Sequence, residues 1–190
     1  QGLNVLYITL EMAEERIAER IDANLLDVTM EDLHDMPQQL YEGKITKLRE
    51  KTQGQLVIKE YPTASAHSGH FKSLMNELAL KKSFRPDVIF IDYLNICASS
   101  RFKGGNISSY FYVKAIAEEL RGLAVEFNVP IFSATQTTRT GYVSTDIGLE
   151  DTSESFGLPA TADFMFALIS NEELEALGQM KVKQLKNRYN

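Results

Sequence analysis

The sequence predicts an α/β domain built on a mainly parallel sheet with helices on both faces. Three observations carry that expectation. The stretch Pro86-Asp87-Val88-Ile89-Phe90-Ile91-Asp92-Tyr93-Leu94 holds a run that is apolar at every position rather than at alternate ones. Such a run reads as a strand covered on both faces. Other short apolar runs recur along the chain, and amphipathic helical stretches separate most of them. The resulting order, β-α-β-α-β-α-β-loop-β-α-β, is that of a parallel sheet joined by crossovers.

Taken in order, Val5–Leu10 is the first strand and ends in Glu11. Ile17, Ile21 and Leu25 then recur every four residues and predict a helix from Ala13 to about Leu26. Thr29 followed by Glu31 and Asp32 has the form of a helix start. That helix is expected to run towards Tyr41, with Pro37 as the residue that challenges it. A short helix from about Ile45 to Lys51 and a second strand over Leu56–Ile58 follow. Ser68 is the expected cap of a helix with Phe71, Leu74 and Leu78 on one face.

Beyond the Val88–Asp92 strand, residues 98–106 are polar, glycine-rich and basic, the composition of a surface loop. Val113, Ile116, Leu120, Leu123 and Phe127 give the stripe of a long helix from about Ser109. Pro130–Thr135 is a strand ending at Gln136, and a second loop runs from Thr137 to about Thr152. Asp163–Ile169 reads as another buried strand. Ser170-Asn171-Glu172-Glu173 has the form of a capping box on a short helix. Met180–Leu185 alternates, as an edge strand or hairpin arm does.

Composition excludes several classes. A chain of 190 residues suffices for one α/β core. No apolar stretch is long enough to span a bilayer, and the first residues lack a signal-peptide pattern. These features, with the single Cys97, suit a reducing, cytoplasmic setting without membrane partners. A net charge of −6 argues against a surface coated with basic groups, yet leaves room for nucleic-acid contacts confined to a few loops. His67, His70 and Cys97 are too few and too dispersed for a four-ligand zinc site. Tyr110, Phe111 and Tyr112 could stack on bases, but at the start of an amphipathic helix packing is the plainer role.

The candidate chemistry lies at strand ends. In parallel sheets ligands sit at the carboxyl ends of the strands, where Asp92 falls. Asp92 there has the form of a Walker B carboxylate holding Mg²⁺ on a nucleotide; on this run alone, an Asp capping the next turn serves equally well. Glu11 and Gln136 end two other strands. A carboxylate free of metal can act as general base on water, and an amide can both donate to a phosphate and accept from water. Three polar ends in the order Glu, Asp, Gln favour function over coincidence.

Together, Thr9-Leu10-Glu11-Met12, Ile89–Leu94, Gln136-Thr137-Thr138-Arg139 and Lys186-Asn187-Arg188 resemble the hexameric replicative helicases with a RecA-like core, the DnaB family. The segments Asp92–Arg101 and Glu150–Asp163 are most similar to the T-even-type phage branch. The resemblance spans essentially the whole chain. It implies a partial RecA-like P-loop NTPase core over residues 1–190, using ATP and Mg²⁺ and moving 5′ to 3′ on single-stranded DNA as a hexameric ring. Primase and a helicase loader are the implied partners, and the host cytoplasm is the implied location for a phage-encoded protein.

The resemblance also assigns residues. Glu11 corresponds to the catalytic Glu, Asp92 to the Walker B Asp that binds Mg²⁺ through water, and Gln136 to the amide that couples the γ-phosphate to DNA loops. Arg188 corresponds to an arginine finger entering the neighbouring subunit's site, and Lys186 to its companion. From the residues alone, Lys186 and Arg188 are two solvated charges on one side of an edge strand. Arg101, Lys103 and Arg139 are the candidate DNA contacts, of the backbone-directed kind. The DnaB pattern R-E-S-G before the next strand is here Ser153-Glu154-Ser155-Phe156, without the Arg.

One departure is larger. The phosphate-binding loop G-x-x-x-x-G-K-S/T is missing, because Gly43-Lys44 is preceded by Gln38 at the required glycine and followed by Ile45. The chain thus reads as a core truncated before that loop, and the 190 residues alone as inactive in hydrolysis. Two alternatives stay open: a RecA-type recombinase or clock-like ATPase of the same fold, and a non-catalytic structural paralogue that self-associates.

Overall fold

The structure, a computed structural model, describes residues 2–102, 107–137, 148–151 and 157–189. In chain order the elements are β1 (Val5–Thr9), α1 (Glu14–Leu26), α2 (Met30–Asp35), α3 (Gln38–Lys51), β2 (Leu56–Glu60), α4 (Ser68–Lys82), β3 (Val88–Asp92), α5 (Ser109–Phe127), β4 (Ile131–Ser133), α6 (Gly157–Thr161), β5 (Phe164–Ile169), α7 (Glu172–Ala176) and β6 (Lys181–Asn187). Single 3₁₀ turns cover Leu94–Ile96 and Leu149–Asp151. Strands β2-β1-β3-β4 form a four-stranded sheet in that order, every pair parallel. The α/β class and the parallel sheet follow the expectation.

The pleat sorts the side chains. Leu6, Ile8, Ile89 and Ile91 point to one face and are fully or almost fully buried. They share a core with Phe71, Leu74, Met75 and Leu78 of α4 and with Val113, Ile116, Leu120 and Leu123 of α5. Apolar residues at helical spacing on two helices thus close over an apolar strand face. On the opposite face α1 lies beside the sheet, and a cleft of about 250 Å³ between them is lined by Tyr7, Asp92, Ile17, Arg20 and Ile21 among others.

The elements differ from expectation in ways that have local causes. Pro37 does split the helix predicted to reach Tyr41: α2 ends at Asp35, Met36 is extended, and α3 starts at Gln38. A residue before proline is pushed out of the helical region, so one helix becomes two. Thr29 caps α2 through a capping box with Asp32. His67, not Ser68, caps α4, its Nδ1 accepting from Gly69 N at 3.0 Å. Asn171 caps α7 by accepting from Leu174 N at 2.8 Å.

The larger difference concerns burial. Strand β3 is not covered on both faces, since Phe90 is 36% exposed, and Phe132 beside it on β4 is 54% exposed. Tyr7, Phe90 and Phe132 stack across β1, β3 and β4, with centroids 6.1 and 5.3 Å apart. Nor is β5 covered on both faces: Ala167 and Ile169 are buried, while Phe164, Phe166 and Leu168 are about half exposed or more. It pairs antiparallel with β6 in a separate two-stranded sheet, with a register break at Met165/Phe166. The hairpin arm predicted for β6 is therefore present, attached to its own small sheet.

Candidate nucleotide site

Parallel pairing brings the carboxyl ends of β1, β3 and β4 to one edge. Thr9 pairs with Asp92, and Ile91 with Ser133. Glu11 and Gln136 follow their strands within a few residues, so all three sequence-predicted polar groups lie at that edge. Local chemistry shapes each one. Buried Thr9 accepts from Met12 N at 3.0 Å and donates to Met12 O at 2.8 Å, bending the chain over the strand end. Leu10 is held from both sides: its N–H donates to Asp92 O at 2.8 Å, and its carbonyl accepts from Thr63 Oγ1 at 2.7 Å. Glu11 follows on this pinned turn, exposed, and among the described residues its carboxylate carries no hydrogen bond or ion pair.

Asp92 is held by a residue that sequence reasoning missed. Tyr7 OH donates to Asp92 Oδ2 at 2.9 Å. Burial, with the Asp92 hydrogen bond and charge behind it, pushes the Tyr7 phenol up to about 12, so it stays a donor at neutral pH. The register could have revealed it: Tyr7 and Thr9 share a face, and Thr9 pairs with Asp92. The other oxygen, Oδ1, makes no hydrogen bond among the described residues. One free carboxylate oxygen at a strand end suits a hard divalent cation reached through water.

Gln136 is anchored by another missed residue. Its Nε2 donates to Tyr93 OH at 3.1 Å, and Tyr93 follows Asp92 across a cis peptide bond. Leu94 N donates to Ala134 O at 3.2 Å, which ties the two strand ends together. Beside them Asn95 Oδ1 and Thr135 Oγ1 are buried without a partner among the described residues. Polar atoms left so at one sheet edge are a fit for a polar ligand.

Lys186 and Arg188 do not meet these groups. Lys186 Nζ donates to Pro159 O, and Arg188 Nη2 donates to Ala160 O at 2.8 Å. Both therefore reach backbone carbonyls of α6, and Arg188 remains exposed. Burial, reinforced by the Arg188 charge, lowers the Lys186 ammonium from its ordinary value.

Of the DNA candidates, Lys103 and Arg139 lie outside the described residues, as does most of the Gly141–Thr152 segment. Arg101 is described, and its guanidinium pairs with Glu118. The backbone leading to it is gripped by Glu119 of α5. That carboxylate accepts from Ser99 Oγ at 2.6 Å, Ser100 Oγ at 2.8 Å, Ser100 N at 3.0 Å and Ser68 Oγ at 2.9 Å. Burial acts to raise the Glu119 pKa, but these donors outweigh it and hold it below the usual glutamate value. The grip is therefore complete at neutral pH and fades as pH falls below the carboxylate range. Glu119→Ala is expected to speed amide exchange at Ser100 and Arg101 roughly tenfold or more, since a hydrogen bond to a charged group is worth about 1.5–3 kcal/mol. Unchanged exchange there would mean the loop start is held by something else.

Against this geometry, the family model of the DnaB-like helicase C-terminal domain matches residues 1–188. The chain belongs to that family. The DnaB-like replicative helicase of Enterobacteria phage T4 is 52% identical over 191 residues, covering 99% of this chain and 40% of that protein. A probable plasmid replicative DNA helicase of Chlamydia trachomatis serovar L2 is 34% identical over 144 residues, 73% of this chain and 30% of the relative. This DnaB-like chain thus spans well under half the length of the curated relatives it matches. Its fold is also that of the solved structure of a DnaB-like replicative helicase and its interactions with primase, with a TM-score of 0.75 at 18% identity, over 97% of this chain and 45% of that one. A second solved structure, of an ATPase domain, gives the same TM-score and identity, over 97% of this chain and 67% of that one. No helix among the described residues of the DnaB-like domain is long and apolar enough to cross a membrane.

Proposed function

We propose that this chain supplies the hydrolytic part of an ATP-driven replicative helicase that moves 5′ to 3′ on single-stranded DNA as a hexameric ring. The observation that carries this reading is the row of Glu11, Asp92 and Gln136 at one edge of adjacent parallel strands. In it, Glu11 accepts the proton of a water directed at the terminal phosphate of ATP. Asp92, oriented by Tyr7 OH, would hold Mg²⁺ through water, and the ion would supply neutralisation of phosphate charge. Gln136 reports the terminal phosphate to the loop that follows it, towards Arg139. Arg188 and Lys186 serve the site of the adjacent subunit. Arg101, Lys103 and Arg139 contact the DNA backbone, and primase and a loader engage the ring in the host cytoplasm.

Two features support a nucleotide cradle contributed from outside the 190 residues. The sequence contains no phosphate loop. The sheet also leaves an aromatic face open at Phe90 and Phe132, and among the described residues β4 pairs only with β3. A strand and helix bearing that loop would cover both. The 190-residue chain alone is accordingly read as inactive in hydrolysis.

The experiment is ATP turnover by a full-length subunit, with and without an oligo-dT strand, titrated with Mg²⁺. Asp92→Asn should lower turnover about 100-fold or more and shift the Mg²⁺ dependence upward, because electrostatic support of the phosphates is lost. Turnover that responds neither to the oligo-dT strand nor to Asp92→Asn would leave the helicase reading without support.

A further inference from the structure

We propose that Asp163 is the positioning residue of Arg188: it orients the guanidinium that the reading above sends into the neighbouring subunit, and the proposal rests on that reading. Asp163 lies just before β5 and Arg188 just after β6, one step beyond the last ladder pair, Phe164 and Asn187. Arg188 N donates to Asp163 O at 2.9 Å, so the backbones already face each other. The side chains repeat the pairing. Arg188 Nε makes an ion contact at 2.9 Å with Asp163 Oδ1, and Arg121 Nη1 of α5 donates to Oδ2 at 2.7 Å.

The surrounding backbone completes the clamp. Arg188 Nη2 donates to Ala160 O, and more weakly to Thr161 O at 3.3 Å and Ala162 O at 3.4 Å. Arg121 Nη1 also donates to Thr161 O at 3.0 Å. The last carbonyls of a helix lack partners within it, and cations satisfy them. Arg188 is therefore hydrogen-bonded through Nη2 and in charge contact with Asp163 at Nε, where Oδ1 accepts no hydrogen bond, while Nη1 carries no partner among the described residues. A planar guanidinium fixed along one edge presents the other in a set direction. An exposed ion pair adds little to stability, so its consequence here is aim rather than folding energy. Without the Asp163 charge, the positive Arg121 and Arg188 face each other uncompensated, and Arg188 swings away.

The test uses full-length rings and DNA-stimulated ATP turnover. Asp163→Asn keeps the side-chain shape and removes the charge. It should lower kcat at least tenfold with KM for ATP within about twofold of wild type. Mixing with Glu11→Gln subunits, whose own fingers are intact, should restore turnover, and the double variant Asp163→Asn/Arg188→Ala should be no slower than Arg188→Ala alone. Wild-type kcat for Asp163→Asn, no rescue on mixing, or an additive double variant would overturn the positioning role. Should Asp163→Asn fail to assemble, Asp163→Glu tests the same aim: the longer arm should cut kcat and be rescued by mixing, and wild-type turnover would overturn it. If Arg188→Ala itself turns over like wild type, the finger reading fails instead, and the two failures are told apart.

Discussion

Replacing Glu11 by Gln is expected to stop ATP hydrolysis while nucleotide binding survives. The amide has the size and shape of the carboxylate, and the turn beneath it is held by atoms the substitution does not touch. Those atoms are Thr9 Oγ1, Asp92 O and Thr63 Oγ1. What disappears is the ability to take a proton from water, which contributes about 10²–10⁴-fold in enzymes generally. A full-length Glu11→Gln subunit should therefore show turnover lower by about 10³-fold, with affinity for a non-hydrolysable ATP analogue within about twofold of wild type. Asp92 and Tyr7 remain in place, so the Mg²⁺ dependence of analogue binding should not move. Turnover reduced only a few-fold would mean that another group accepts the proton, and Glu11 would revert to an exposed charge at a strand end.

The parts legible in the sequence were those decided by local pattern. Val88–Asp92 and Val5–Thr9 are strands because their apolar runs are short and bounded, and α4 and α5 bury the stripes their spacing implied. Glu11, Asp92 and Gln136 were legible as strand ends, because in a parallel sheet chain direction alone assigns them one edge. Hidden from the sequence was everything that depends on which residues face each other across the fold. Tyr7 looks like one more apolar strand residue until register sets it beside Asp92. Glu119 looks like an outer charge on a helix until the loop after β3 folds back onto it with Ser99 and Ser100.

Burial on the second face of a sheet was equally hidden. A run such as Val88-Ile89-Phe90-Ile91 signals two apolar faces, but not whether the covering element lies within the same 190 residues. Phe90, Phe132 and the Phe164–Phe166–Leu168 row are apolar and exposed here. Phe90 and Phe132 stack into one apolar patch of the kind that can receive a further element. Sequence pattern thus reported the apolar faces and not whether anything covers them.

Arg188→Ala is expected to silence hydrolysis in a ring made only of that variant, yet to be repaired by neighbours. Among the described residues Arg188 contacts Asp163 and the end of α6, and makes no contact with Glu11, Asp92 or Gln136. A finger that serves its own strand-edge site would be expected to touch that edge; one that serves another subunit would be free to sit elsewhere. Removing an arginine that neutralises charge on a transferring phosphoryl group costs about 10³–10⁵-fold in turnover. The two defects then complement each other. In a ring mixing Arg188→Ala with Glu11→Gln subunits, an Arg188→Ala site keeps its own Glu11 and receives the finger of a Glu11→Gln neighbour. Turnover should rise with the fraction of such junctions and peak near equal mixing, while each pure ring stays silent. A flat response across all mixing ratios would place Arg188 in its own subunit's chemistry, or outside chemistry altogether as a clamp on α6.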